Sequence, residues 1–272
     1  MNLFYELKSL LLSKPFISAS DINELDNFAK LLNKMIIDYN YELNHEDYFL
    51  LGVKYYFAKD YTTALILSEK VIELKPDFAR GYNLKALIYR QLKRYDQALE
   101  LINKAIELNP NFSVFWDNKA NILSDIGFYN EALEHEDKAI SLDPNNIFAL
   151  TNKAIILRKM NMIEDALKHL EKVLSIKSNY QPALHEKALS LIELRRFEEA
   201  IDVLNRIIEM NKNDAVAYYN RACAYSLKNE KVRAIIDLKI AFGLDPELKE
   251  LAKDDKDLDN IRDLNEFKEL VN

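Results

Sequence analysis

Four histidines, one cysteine and two His-Glu-Asp triplets are the side chains in this sequence best suited to catalysis or metal binding, and their spacing serves neither. His45, His135, His169 and His185 lack the i, i+4 spacing by which one helix face offers two imidazoles to an ion. Cys223 has no partner thiol and no base beside it in sequence; between Ala222 and Ala224 it reads as a small packing residue. The glycines Gly52, Gly81, Gly127 and Gly243 are isolated, so no phosphate-cradling loop exists. No enzyme, metal site or cofactor is expected. One polar group does recur at a fixed interval: Asn118 and Asn152 lie 34 residues apart, and Asn220 lies two such intervals beyond Asn152. A carboxamide offers a donor and an acceptor together, as a peptide unit does, so a row of them can hold an extended chain without reading its side chains.

Such a row needs an element that returns every 34 residues. Pro76, Pro110 and Pro144 keep that interval, and Pro246 falls three intervals after Pro144. Blocks of 34 from His45 run over 45–78, 79–112, 113–146, 147–180, 181–214 and 215–248. Block position 8 holds Gly52, then Ala86, Ala120, Ala154, Ala188 and Ala222; position 20 is Ala64, Ala98, Ala132, Ala166, Ala200 and Ala234. Position 27 is Val, Ala or Ile throughout, while positions 4 and 11 are Tyr, Trp or Leu. Small and large columns at i, i+3, i+4 and i+7 predict two amphipathic helices per block in close contact. Gly127, Asn161 and Asn229 at position 15 suit the left-handed turn between them. The two HED triplets fall at different block positions, so they form no repeated site. Glu136 stands at position 24, a usually apolar column, and is expected to reach water or a neighbouring base.

Composition agrees with an all-α chain. Of 272 residues 49% are hydrophobic and 30% charged, ample for a core, and four Gly with six Pro are too few for a turn-rich β protein. Acids number 44 against 37 bases, a net charge of −7, whereas phosphate binding favours a basic excess, so no nucleic acid is expected. No apolar run reaches the roughly 18 residues needed to span a bilayer, and Glu6 and Lys8 break the N-terminal run before it becomes a leader core. With one cysteine, the expectation is a reducing, cytoplasmic setting and no membrane.

The ends differ from the blocks. Residues 1–44 predict two helices, with Phe4, Leu7 and Leu11 on one face and Ile22, Leu25, Phe28, Leu32 and Met35 on another, forming a cap or else an arm that lies in the groove of its own or another protomer. Residues 249–272 predict an acidic helical cap with Leu251, Leu258, Ile261, Leu264, Phe267 and Leu270 inward.

The six ungapped blocks, with an aromatic or large apolar residue at 4, small residues at 8, 20 and 27, and Pro mostly at 32, resemble the tetratricopeptide repeat. Ser178 and Lys212 depart from the proline column. The resemblance implies a right-handed α-solenoid of helical hairpins with capping helices, whose first helices line a concave face through positions 2, 5, 6, 9, 12 and 13. Carried onto this sequence, the peptide-binding candidates are Asn83, Asp117, Asn118, Asn121, Phe148, Asn152, Ile155, His185, Glu186, Tyr219 and Asn220. The same face carries the bases Arg80, Arg90, Arg158 and Lys159 and the acids Glu46, Asp117, Asp125, Glu186 and Glu193. Lys85, Lys119, Lys153, Lys187 and Arg221 at position 7 are expected to bond to acids of the second helices rather than to a nucleic acid. The implied function is a non-catalytic scaffold or adaptor that holds a protein or peptide partner; the alternatives are a self-assembling homo-oligomer and, more remotely, an RNA-binding solenoid. Some family members grip acidic chaperone tails with a carboxylate clamp. This sequence keeps Asn121 and Asn152 of that clamp but has Asp117, Pro182 and Glu186 where the clamp has bases, which implies a neutral to basic partner segment.

Overall fold

The computed structural model describes residues 2–15 and 17–272, and among the described residues there is no strand. Helices α1 (Asn2–Ser13) and α2 (Ile22–Tyr39) precede a series of hairpins. These are α3 (His45–Phe57) with α4 (Tyr61–Leu74), α5 (Ala79–Gln91) with α6 (Tyr95–Leu108), and α7 (Ser113–Asp125) with α8 (Tyr129–Leu142). Next come α9 (Ile147–Lys159) with α10 (Ile163–Ile176), α11 (Gln181–Glu193) with α12 (Phe197–Met210), and α13 (Ala215–Leu227) with α14 (Lys231–Leu244). The short helices α15 (Leu248–Asp254) and α16 (Asn265–Val271) follow. The chain divides into two compact units, Met1–Ala149 and Leu150–Asn272. No helix among the described residues is long and apolar enough to cross a membrane.

Each hairpin turns on one left-handed residue: Lys59, Lys93, Gly127, Asn161, Arg195 and Asn229 have φ from 57° to 90°. The next N–H then donates to a carbonyl five residues back, as from Asp60 to Tyr55 (3.0 Å) and from Glu230 to Tyr225 (2.8 Å), which satisfies the end of the first helix. The alanines at block positions 8 and 20 are all buried where first and second helices meet. In α3 the position is Gly52, because a β-carbon there would stand 2.8 Å from Leu84 Cδ2 of the next hairpin.

In the first unit, α1 and α2 pack on α3: Phe4, Leu11, Leu25, Phe28, Leu32 and Met35 join Phe49, Leu50 and Val53 in one apolar cluster. Lys8 is buried at this seam, with Nζ 2.8 Å from Asp47 and 3.1 Å from Asn44 Oδ1, while the Tyr41 hydroxyl donates to Asp47 at 2.9 Å. Burial works against the Lys8 ammonium, but the hydrogen bond and charge of Asp47 outweigh it and hold its pKa above the ordinary lysine value. Glu136 on α8 does not reach water; its side chain is fully buried.

In the second unit, Arg221 forks onto Asp237 of α14 at 2.7 and 2.8 Å and donates to Asn205 of α12 at 2.6 Å, so one guanidinium ties α13 to both second helices. Leu258, Ile261 and Phe267 close the C-terminal end against Tyr219, Cys223, Leu238 and Phe242. Leu251, expected inward, is 56% exposed, because α15 turns Ala252 to the core instead.

Candidate functional site

In the first unit the first helices α3, α5 and α7 present Phe49, Val53, Leu84, Leu87 and Phe115 around an apolar recess of about 60 Å³, with Asn83 and Asn118 on its wall. Asn118 Nδ2 donates to Asn83 Oδ1 at 2.7 Å. Each carboxamide still has capacity beyond that bond, and together they offer one further donor group and one further acceptor. Pro15 and Ile17, from the segment joining α1 to α2, close one side of the recess. Arg80 holds that segment in place, donating to the carbonyls of Leu12 (2.8 Å) and Lys14 (3.2 Å) with its guanidinium over the Phe49 ring. Burial pushes the Arg80 pKa down to about 10, so the side chain remains charged at neutral pH. Sequence placed Arg80 on this face as a base open to a partner; here it is taken up by the chain's own backbone.

Other candidates in this unit are less open. Asp117 is buried and accepts from Asn121 Nδ2 at 3.4 Å. Asn118 itself is only 5% exposed. Phe148 and Asn121 are half-buried. Arg90 of α5 pairs with Asp125 of α7 at 2.6 Å, which removes both charges from the free surface.

In the second unit Asn152, Ile155 and His185 are half-buried on α9 and α11, and His185 Nε2 lies 3.1 Å from Asp214. Arg158 of α9 bridges Glu186 (3.0 Å) and Glu193 (2.6 Å) of α11. Glu186 is therefore part of an inter-helix bridge rather than an open carboxylate. Tyr219 and Asn220 were expected to line a groove, and the structure corrects this. Tyr219 is buried beneath the C-terminal segment and donates to Asp255 at 2.7 Å, which with burial drives its pKa upward; Asn220 is nearly enclosed. Sequence spacing within the blocks gave no sign of this cover, because the covering residues lie beyond the last block.

Cys223 is likewise buried, with Sγ 3.7 Å from Asp255 Oδ2, and burial raises its thiol pKa well above the ordinary value. A protonated, enclosed thiol is no nucleophile at neutral pH. Cys223, Asp255 and Asp257 bring potential ligand atoms within 4.8 Å of one another, but Tyr219 and Cys223 already bond to Asp255. Of the position 7 bases, Lys85 meets Glu69 at 3.1 Å, Lys187 meets Glu171 at 3.5 Å and Arg221 meets Asp237. They join helices within the protein.

Tetratricopeptide repeat models match residues 79–112, 114–146, 136–168 and 157–224. No curated protein sequence matches the chain. Among solved structures, the chain is similar to YrrB, described as a TPR protein with an unusual peptide-binding site, at 22% identity and a TM-score of 0.51, covering 66% of this chain and 93% of that one. It is also similar to PilF of Pseudomonas aeruginosa, at 18% identity and a TM-score of 0.63 over 79% of this chain and 94% of that one. A third similarity is to a chain of the APC/C hetero-tetramer Cut9–Hcn1, at 14% identity and a TM-score of 0.74; it covers 100% of this chain but about half (52%) of that one. At these identities the structures speak for the fold alone. The repeat matches, the 34-residue return of the first helices and the buried alanine columns agree, and the chain belongs to the tetratricopeptide repeat family.

Proposed function

We propose that this protein is a non-catalytic scaffold that holds a segment of a partner protein on the faces of its first helices, with 45–248 as the repeat array and 1–44 and 249–272 as its ends. The observation that carries this reading is the recess of the first unit, where apolar walls surround the Asn83–Asn118 amide pair. An apolar side chain fits such walls, and the remaining amide donor and acceptor match the C=O and N–H of its backbone. The peptide-binding site of the structurally similar YrrB supports the same class of function. The partner segment is best taken as neutral, narrowing the neutral to basic expectation. Asp117 is buried and Glu186 is held by Arg158, so neither is the open carboxylate that a repulsion argument needs. Asn152, Ile155 and His185 form a separate candidate contact face on the second unit.

Affinity capture with the intact protein, read by mass spectrometry, tests this against a Leu87→Glu variant, since Leu87 is half-buried and lines the recess. The expected result is a partner recovered with the parent and lost with the variant at equal helicity. Equal recovery from both would remove the recess from the account.

A further inference from the structure

The recess on α3, α5 and α7 has less room than a bound segment needs. Its volume of about 60 Å³ takes a few waters or one small side chain, whereas pockets that bury a ligand begin near roughly 300 Å³. One of its walls has to give. Phe49, Val53, Leu84 and Phe115 are 1% to 6% exposed and belong to the packing of helix on helix. The wall made by Pro15 and Ile17 differs: it is non-helical, Pro15 is exposed and Ile17 is half-buried. Its two ends are tied to each other, since Asp21 pairs with Lys14 and accepts from the Ser18 N–H at 2.7 Å. The helices on either side are anchored by Phe4, Leu11, Leu25 and Phe28, all buried. The connection is therefore able to lift as a closed loop while α1 and α2 stay packed on α3.

We propose that the α1–α2 connection is a strap over the partner site, seated on the recess in the free protein and lifted when an extended, neutral segment of a partner enters. This rests on the recess being the partner site. What holds the strap down is also what holds the segment. Arg80 donates to the carbonyls of Leu12 (2.8 Å) and Lys14 (3.2 Å), and Ile17 packs on the cluster that contains Phe49, Val53 and Leu84. An entering backbone offers carbonyls to the same guanidinium and an apolar side chain to the same walls, so bonds broken on lifting are remade with the partner. The released end of α1 meets water, which satisfies its last carbonyls. Because strap and partner compete, the apparent affinity is that of the open face reduced by the fraction of molecules whose strap is raised.

Thiol labelling of the intact protein with iodoacetamide, in a Cys223→Ala background, tests the strap without a partner. Val53→Cys places a thiol on the recess wall; Val71→Cys places one in the same hairpin, at a fully buried position that does not line the recess. Arg80→Ala removes the two bonds, and Ile17→Ser removes the apolar contact while leaving the end of α1 capped. Each is expected to speed labelling at position 53 by about tenfold at equal helicity and to leave position 71 unchanged. A parent labelled at position 53 as fast as both variants would overturn the strap, because the recess would then be open with the connection seated. Equal acceleration at 53 and 71 would overturn it too, because access would then come from unfolding of the hairpin. Against a partner recovered through Leu87, Ile17→Ser should raise recovery, and unchanged or lower recovery would contradict the competition. The site and the strap fail separately: a captured partner indifferent to Leu87→Glu removes the site and the strap's role with it, whereas the labelling failures remove the strap and leave the site in place.

Discussion

The side-chain amide of Asn118 on α7 donates to the side-chain oxygen of Asn83 on α5 across 2.7 Å, so the same groups that face the recess also join one hairpin to the next. Structure and binding are not separable at this pair. Asn118→Ala is expected to lower unfolding free energy by about 1 to 3 kcal/mol, since it strips a partner from a half-buried amide. Urea denaturation checks this; a parent-like midpoint would show that the pair contributes nothing to the seam.

The buried Lys8–Asp47 pair anchors α1 to the first hairpin. Removing one partner strands the other charge away from water, so Lys8→Ala should cost about 3 to 5 kcal/mol and Lys8→Met no less. Because folding raises the Lys8 pKa, its contribution is complete below the unfolded value of about 10.4 and fades as pH rises through the folded value. Stability measured from pH 8 to 12 on parent and variant should show the parent losing this advantage only at the alkaline end.

Ala154 of α9 and Ala166 of α10 are both buried in the small-residue columns. Ala154→Leu or Ala166→Leu is expected to cost about 1 to 3 kcal/mol through overpacking. Unchanged denaturation midpoints for both would contradict the close helix contact assigned to those columns.

Arg80 supplies two charge-assisted bonds to the carbonyls of Leu12 and Lys14. Arg80→Ala should speed amide exchange in the α1–α2 connection while the helices beyond α5 keep their protection, and lysine should restore little, since it lacks the planar fork. Exchange that is unaltered there would mean the connection is held by Pro15 and Ile17 alone.

The hairpins were legible because their cause is local and repeated: an alanine at each close contact marks where helices meet, and the 34-residue interval gives the order. Even within that pattern only half of the left-handed turn residues could be read. Gly127, Asn161 and Asn229 signal the conformation, whereas Lys59, Lys93 and Arg195 adopt it under the pull of the packed hairpin, at a cost of about 1 kcal/mol or more each. The site was less legible for a different reason. Its openness depends on segments outside the blocks: Leu12 and Lys14 reach Arg80, Pro15 and Ile17 reach the recess, and Asp255 reaches Tyr219. Ion pairs between neighbouring first helices, Arg90 with Asp125 and Arg158 with Glu193, span 35 residues and are visible only once the helices are side by side.

The central claim is that a partner segment lies on the first-helix face at the recess of the first unit. Site-specific photo-crosslinking of the intact protein from position 87, in the recess, and from position 104, exposed on the outside of α6, tests it most directly. The account predicts intermolecular adducts from position 87 that map to one short, neutral segment rich in apolar side chains, and none from position 104. Adducts from position 104 alone, or no intermolecular product from position 87, would contradict it.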